Sequence, residues 1–274
     1  MKQTTWKKWL ITLPACLGYL LFFMLPMVFI FYEPLHAPVE TFNRMISDSY
    51  LLNSISGSLI LSISASFVSL IISLFIAFYL SHCTDRVRQI LSIMISLPLV
   101  FSGLIVAYGF ILAFGRAGFI TKTLGFVGIP EASFGNLIFT PVGLGMAYCY
   151  YLIPRAVFIL LPVFQSFDWQ QIKVSQSFGA SKLQSYRFIL FPQILPAMVT
   201  SLCVMCSVAL GAYGTALALS GTQLNILPLT LYSKISDGGT DFPVVGMLSI
   251  ILIALCLIFT FIAEIIQKNY GRIK

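Results

Sequence analysis

The sequence predicts an all-α integral membrane protein with six transmembrane helices, and three observations carry that prediction. Of its 274 residues, 58% are apolar and only 9% charged, where a soluble domain carries about a quarter charged residues. The mean hydropathy is +0.95. The apolar residues fall in six blocks, 10–32, 54–80, 90–114, 137–164, 188–220 and 243–266, and roughly 20 apolar residues suffice for one span. The connections between them are short, so residues 1–274 read as a single transmembrane domain. A water-soluble enzyme, a secreted disulfide scaffold and a disordered tail are excluded.

The first block follows a basic start, as a signal peptide would. It is long, holds Pro14 and Pro26, and ends on no small-residue cleavage pattern, so it reads as an uncleaved span. The second block is crowded with serine: Ser54, Ser56, Ser58, Ser62, Ser64, Ser66, Ser69 and Ser73. Small residues let helices approach closely, which suits a transporter or channel core better than a simple anchor. The later blocks carry Pro98, Pro141, Pro154, Pro162, Pro192 and Pro196. Proline is tolerated in a span where neighbouring groups satisfy the freed carbonyls. No internal repeat is evident. Nor is there a pair of matching broken segments of the kind that marks an inverted-repeat secondary transporter.

Sixteen Lys+Arg against nine Asp+Glu give a net charge of +7. No basic stripe is interleaved with aromatics, so nucleic acid is not an expected partner; the basic residues sit between apolar blocks, against a lipid bilayer. Lys2, Lys7, Lys8, Arg86, Arg88, Lys173, Lys182, Arg187, Lys268, Arg272 and Lys274 fall on one side, and Arg44, Arg116, Lys122 and Lys234 on the other. Eleven against four puts both termini in the cytoplasm. Glu33, Glu40, Asp48, Glu131, Asp237 and Asp241 lie outside on this assignment. Cys16, Cys149, Cys203, Cys206 and Cys256 lie within apolar blocks and Cys83 in a short loop, which is the distribution of packing residues and not of a disulfide framework.

Catalytic motifs are missing. His36 and His82 are both in loops, no metal-ligand cluster appears, and no phosphate-binding loop is present. The chain is therefore not expected to hydrolyse nucleotide, hold a metal or need a cofactor. The one ionisable side chain well inside a span is Arg155. An arginine there is costly and needs a partner. It either meets an anionic group of a solute or serves a helix–helix hydrogen bond or the headgroup region, and the sequence favours the second role. No Asp or Glu lies deep in a span, which leaves an ion-coupled carrier without its usual parts. Tyr108, Tyr148, Tyr151 and Tyr213 are further candidates to line a path, although tyrosine also packs helices.

The segment 166–192, SFDWQQIKVSQSFGASKLQSYRFILFP, is the longest cytoplasmic stretch. Asp168 is placed to cap a short helix with Gln171 as its capping-box partner. Gly179 suits the left-handed position that ends such a helix. Ser181 and Gln184 form a second S-x-x-Q box, which starts a helix running into the fifth span. The result is a helical elbow, suited either to docking another protein or to lying on lipid headgroups.

Gly179, followed after nine residues by Ile189, Leu190, Phe191 and Pro192, resembles the signature loop of permeases of binding-protein-dependent ATP-binding-cassette (ABC) importers. The family pattern is Glu-Ala-Ala, three residues, Gly, nine residues, then Ile, any residue, Leu, Pro. The resemblance covers about 54–266 and implies a six-span permease of the type I importer fold in a bacterial inner membrane. It further implies that the loop at about 166–187 is a coupling helix seated on a cytoplasmic ATPase dimer, with Lys173, Gln176, Gly179, Ala180, Ser181 and Gln184 as ATPase-coupling positions. A second permease subunit and an extracytoplasmic solute-binding protein are implied partners. The chain departs from the pattern in two places: Lys173, Val174 and Ser175 stand for Glu-Ala-Ala, and Phe191 stands for the Leu. The stretch Gly211–Gly221 with Ile226–Tyr232 looks like permeases for polyamines, thiamine, ferric iron or 2-aminoethylphosphonate. The expected function is import of a small polar solute driven by ATP hydrolysis in separate subunits. A channel or carrier without ATPase partners, or a membrane scaffold subunit, is the alternative.

The charge asymmetry predicts that 165–187 faces the cytoplasm. A single cysteine at Ser177 in a cysteine-less background should resist an impermeant thiol reagent in intact cells and react in inverted vesicles. Labelling from outside would overturn the topology.

Overall fold

The computed structural model describes residues 12–126, 128, 130, 135–221, 223–236 and 241–271, and the regular structure among them is helical throughout. Lys2, Lys7, Lys8, Arg272 and Lys274 of the charge count, and Glu131 and Asp237, lie outside the described residues. Six described stretches are long and apolar enough to cross a membrane: Thr12–His36, Ser49–His82, Gly103–Phe126, Pro141–Ser166, Lys182–Leu210 and Phe242–Lys268.

In chain order the helices are α1 (Thr12–His36), α2 (Pro38–Ser47), α3 (Ser49–His82), α4 (Asp85–Val100), α5 (Gly103–Phe114) and α6 (Phe119–Phe126). After these come α7 (Pro141–Ser166), α8 (Gln170–Ser177), α9 (Lys182–Leu210), α10 (Tyr213–Ser220), α11 (Leu227–Ser236) and α12 (Phe242–Gly271). Two of them widen for one turn into π-helix, at Leu20–Met24 and Tyr186–Leu190. Each widened turn comes just before a proline, Pro26 and Pro192. A proline has no N–H to donate and its ring crowds the carbonyl four residues back, so a looser turn absorbs the misfit.

The core is α7 packed against α3 and flanked by α9. Lipid tails are as apolar as leucine, so helices in a bilayer are held by close packing and interhelical hydrogen bonds. The serines of α3 supply both. Ser54, Ser58, Ser62, Ser66, Ser69 and Ser73 are all buried along one face. Ser73 Oγ donates to Ile153 O of α7 at 3.1 Å as well as to Ser69 O in its own helix. Cys149 Sγ reaches Ala65 O from α7, and Cys206 Sγ reaches Ser62 O from α9. All six cysteines are free. By contrast α1 lies on α12 and leaves its apolar surface open, with none of its central window buried.

The third crossing differs from the single block 90–114. The chain breaks at Phe101–Ser102, and Ser102 Oγ accepts from Ile105 N–H at 3.5 Å to start α5. Thr121 Oγ1 of α6 donates to Phe114 O at 2.9 Å. In one continuous helix residues seven apart are separated by about 10.5 Å along the axis, so α6 folds back on the end of α5. The apolar stretch Gly103–Phe126 is therefore bent, and the crossing is built from α4 and α5. These are about 24 and 18 Å long, and neither alone passes a hydrocarbon core of about 30 Å.

The fifth block, 188–220, is also interrupted: α9 stops at Leu210 and α10 begins at Tyr213. The two interruptions meet. A Cβ on Gly103 would collide with Thr215 Oγ1, and one on Gly214 would sit 3.7 Å from Leu104 N. At their far ends, Ser220 and Gly221 share a cavity of about 660 Å³ with Gly115 and Arg116. So α5 and α10 run side by side in the same direction, each starting at a break. Sequence reading treated 90–114 and 188–220 as unbroken blocks, and both are interrupted. No proline sits at either break, and a serine and a glycine in an apolar run look like ordinary packing residues.

Beyond α10, the irregular chain 223–226 is anchored on α3. Asn225 Nδ2 donates to Tyr50 O at 3.0 Å, and Ser58 Oγ accepts from Leu227 N–H at 2.7 Å. Gly57 leaves room for this: a Cβ there would lie 2.7 Å from Asn225 O. Leu227 and Ser58 are both buried, so Ser58→Ala would orphan an N–H with no water to replace the hydroxyl. It should cost about 1–3 kcal/mol, read as a lower thermal midpoint of the detergent-purified protein. An unchanged midpoint would show that this bond does not hold the segment.

Candidate functional site

The elbow is built from two capping motifs laid end to end. Asp168 Oδ1 accepts from Gln170 N–H at 2.9 Å and starts α8. Its predicted box partner does something else: Gln171 Oε1 accepts from Gln193 Nε2 at 2.9 Å, tying α8 to the root of α9. At the other end Gly179 N–H donates to Gln176 O at 2.9 Å and Ala180 N–H to Ser175 O at 3.2 Å. That is a complete Schellman closure, with Gly179 at φ +88°. The next motif begins two residues on. Ser181 Oγ accepts from Gln184 N–H, and Gln184 Oε1 accepts from Ser181 N–H at 2.9 Å, giving the full capping box that the S-x-x-Q spacing predicts.

Side chains then lock the two arms together. Ser175 Oγ donates to Ser185 Oγ at 2.7 Å across the turn. At the base, the Trp169 ring lies 4.5 Å from His82, 4.9 Å from Phe167 and 5.8 Å from Phe78. Edge-on aromatic pairs of this kind each add about 0.5–1.5 kcal/mol beyond their burial. This cluster joins the end of α3 to the elbow, and sequence reading missed it; the concentration of aromatics at 164–169 and at 78–82 is its only trace. Lys173, Gln176, Gly179, Ser181 and Gln184 are all exposed on the elbow, and Ala180 is half-buried. The surface is also apolar at its tip: Phe178 is 87% exposed, Leu183 78% and Val174 53%.

The second group of candidates lies within the membrane. Tyr148, Tyr151 and Arg155 occupy one stripe of α7, spaced three and four residues apart. Tyr148 is buried and its hydroxyl donates to Ala212 O, at the break before α10, at 3.1 Å. The Arg155 guanidinium lies 5.7 Å from the centre of the Tyr151 ring. Tyr213 opens α10, half-buried against the Tyr232 ring at 5.3 Å. These four therefore gather around the break in the fifth crossing. Tyr108 does not join them: it is 55% exposed on α5. Of the residues that complete this neighbourhood, Ser102 and Gly103 carried no sequence signal beyond being small, and Gly214 and Thr215 fall in the stretch Gly211–Gly221 without having been picked out individually.

Over residues 69–272 the chain matches the binding-protein-dependent transport system inner membrane component family. It belongs to that family. The chain is thus a permease subunit of a binding-protein-dependent ABC importer, separate from the ATPase. It is 23% identical over 272 residues to the sulfate transport system permease protein CysT of Synechocystis, covering 96% of this chain and 89% of that one. It is 26% identical over 271 residues to the putative ferric transport system permease protein FbpB 1 of Haemophilus influenzae, covering 95% of this chain but 41% of that one. With the spermidine/putrescine permease PotB of Escherichia coli the identity is 23% over 188 residues, 68% of this chain and 66% of that one. Among solved structures, a bacterial alginate ABC transporter in complex with an alginate pentasaccharide-bound periplasmic protein has the same fold. The TM-score is 0.77 at 17% identity, over 97% of this chain and 96% of that chain.

In this importer permease, Gly179 bears no steric load, because a Cβ there would meet nothing within 4 Å. Only its left-handed backbone resists substitution. Gly179→Val should therefore strain the elbow by about 1–2 kcal/mol or more. Membrane insertion should persist while transport falls; undiminished transport-linked ATP hydrolysis would mean that the turn is not part of coupling.

Proposed function

We propose that the elbow at 166–187 is the docking element for a cytoplasmic ABC ATPase dimer, and that Lys173, Gln176, Gly179, Ala180, Ser181 and Gln184 are its coupling positions. The observation that carries this reading is the combination of rigidity and exposure. Capping at every helix end fixes the elbow's shape, while Phe178, Leu183 and Val174 leave its tip apolar and uncovered. Exposed apolar surface rimmed by polar groups marks a protein or membrane contact, and a tip held rigid by caps at both arms suits the first. The Gln171–Gln193 bond and the Trp169 cluster then carry a push on the tip into α9 and α3. Nucleotide-driven closure of the ATPases biases the spans between inward and outward access.

On this reading both termini are cytoplasmic, residues 1–274 form one permease domain, and an extracytoplasmic binding protein delivers a small polar solute to the loops near 33–53, 115–136 and 221–242. Two permease subunits face each other. The aligned segment is 41% of the Haemophilus relative, which thus has room for a second module of the same size. The second permease is a different chain. Lys173 stands exposed where the family has an acid; in a homodimer any basic ATPase residue that meets that acid would face like charge at both contacts, which is destabilising.

Affinity purification through a tag on this chain, from its native membranes, tests the composition. One copy of this chain, one related permease and two ATPases are expected. A transport-competent complex with two copies of this chain and no second permease would overturn the heteromer. A Phe178→Asp variant that retained its ATPase would overturn the docking role of the tip.

A further inference from the structure

The named solutes of the relatives, sulfate, ferric and spermidine/putrescine, differ in the sign of their charge, so the charge this chain accepts has to be read from its own geometry. The informative place is where the third and fifth crossings break. Two helix amino ends meet there, those of α5 and α10. The first amide groups of a helix have no intrahelical partner, and each amino end carries roughly half a positive charge. Capping here is poor. Ser102 Oγ reaches one amide of α5 at 3.5 Å, and Ala212 offers α10 no side-chain cap, although the first amide, Tyr213 N–H, donates to Gly211 O at 2.9 Å. Two like dipole ends repel, yet Gly103 and Gly214 give up their side chains to bring them together.

Further groups on α7 point the same way. Tyr151 is 8% exposed, and its hydroxyl makes no well-formed hydrogen bond, with only the Thr215 side chain within reach of a loose one. Its neighbours are Thr215, in the first turn of α10, and Arg155. Arg155 stacks over the same tyrosine ring and pairs with no carboxylate among the described residues. A buried hydroxyl left unmade is expensive, and an arginine at this depth demands an anion or a cavity. Tyr151 and Arg155 are the eleventh and fifteenth residues of the 26 in α7, which places them near the middle of the crossing. The breaks are not sealed: Ser102 and Gly211 are exposed and Gly103, Ala212, Tyr213 and Gly214 half-buried. They open on the surface of the subunit.

We propose that the amino ends of α5 and α10, the Tyr151 hydroxyl and the Arg155 guanidinium form a mid-membrane site for an anionic group of the transported solute. A carboxylate, a sulfate or a phosphate-like oxyanion accepts from the free amides and the hydroxyl and is paired by the guanidinium. The site resolves the repulsion between the two dipole ends, which gives the solute a reason to pause there. Arg155 thereby acquires the solute-contacting role that its sequence position alone did not favour. The solute would share the anionic chemistry of sulfate and not the cationic chemistry of a polyamine. This inference rests on the importer reading but needs no ATPase for its test.

The assembled transporter and the chain alone are each titrated in detergent with sodium sulfate, sodium phosphate or sodium acetate, against chloride at equal ionic strength, and binding is read from the thermal midpoint. At least one of the three oxyanions should stabilise beyond chloride, and putrescine should not; which one does so separates a tetrahedral group from a carboxylate. Arg155→Gln should weaken that binding by about tenfold or more, since charged hydrogen bonds are worth well over a unit of log affinity. Tyr151→Phe and Gly214→Ala, which fit sterically, should each weaken it by roughly fivefold through loss of a donor or cover over Leu104 N–H. Tyr108→Phe should leave it unchanged. No preference over chloride, equal stabilisation by putrescine, or affinities untouched by Tyr151→Phe and Arg155→Gln would each overturn the site. Loss of anion binding with the ATPase still bound sinks this proposal alone, whereas anion binding by a chain that never co-purifies with an ATPase sinks only the docking reading.

Discussion

The constraint on which the structure depends is that a backbone polar group inside a bilayer has no water to turn to. Twelve described helices meet it by default; the informative places are where the chain stops being helical. Before α11 the first amide of that helix, Leu227 N–H, is taken by Ser58, and Asn225 pins the segment to the carbonyl of Tyr50. At Gly211–Ala212 the carbonyl of Ala212 is met by Tyr148. The serine stripe on α3 and the tyrosine stripe on α7 are thus the partners that allow irregular backbone at depth, and they do so while packing the core.

At the elbow the same accounting is done differently. Most of its side chains are exposed, so its stability has to come from local closure. The Schellman bonds at Gly179 and the reciprocal bonds of Ser181 and Gln184 satisfy helix ends within a few residues of chain. Such motifs fix a shape without a large core, which leaves Phe178 and Leu183 free to project. The elbow is therefore stiff where it bends and open where it would meet another subunit. Its attachment is aromatic and non-local, through Trp169, Phe78 and His82.

Those contrasts explain how far sequence reading reached. The Ser181–Gln184 box and the left-handed Gly179 were legible because a cap is a property of four to six neighbouring residues. The Asp168–Gln171 box was half right, because Gln193, distant in sequence, competes for the Gln171 side chain. The pathway candidates on α7 share a stripe that helical spacing dictates. Their meeting with Tyr213 depends on how α10 is placed, and Tyr108, equally plausible as a residue type, is left exposed on α5.

By itself the sequence determined the helical class, the number of apolar crossings, the elbow and its turn. Hydropathy, length and capping are local quantities, and the bilayer enforces them without reference to any neighbour. Tertiary structure alone decided that the third and fifth crossings are broken, and that their breaks meet beside Tyr151. A break in a span is tolerated only when another helix supplies partners for it, and that supply is a fact about packing between segments a hundred residues apart.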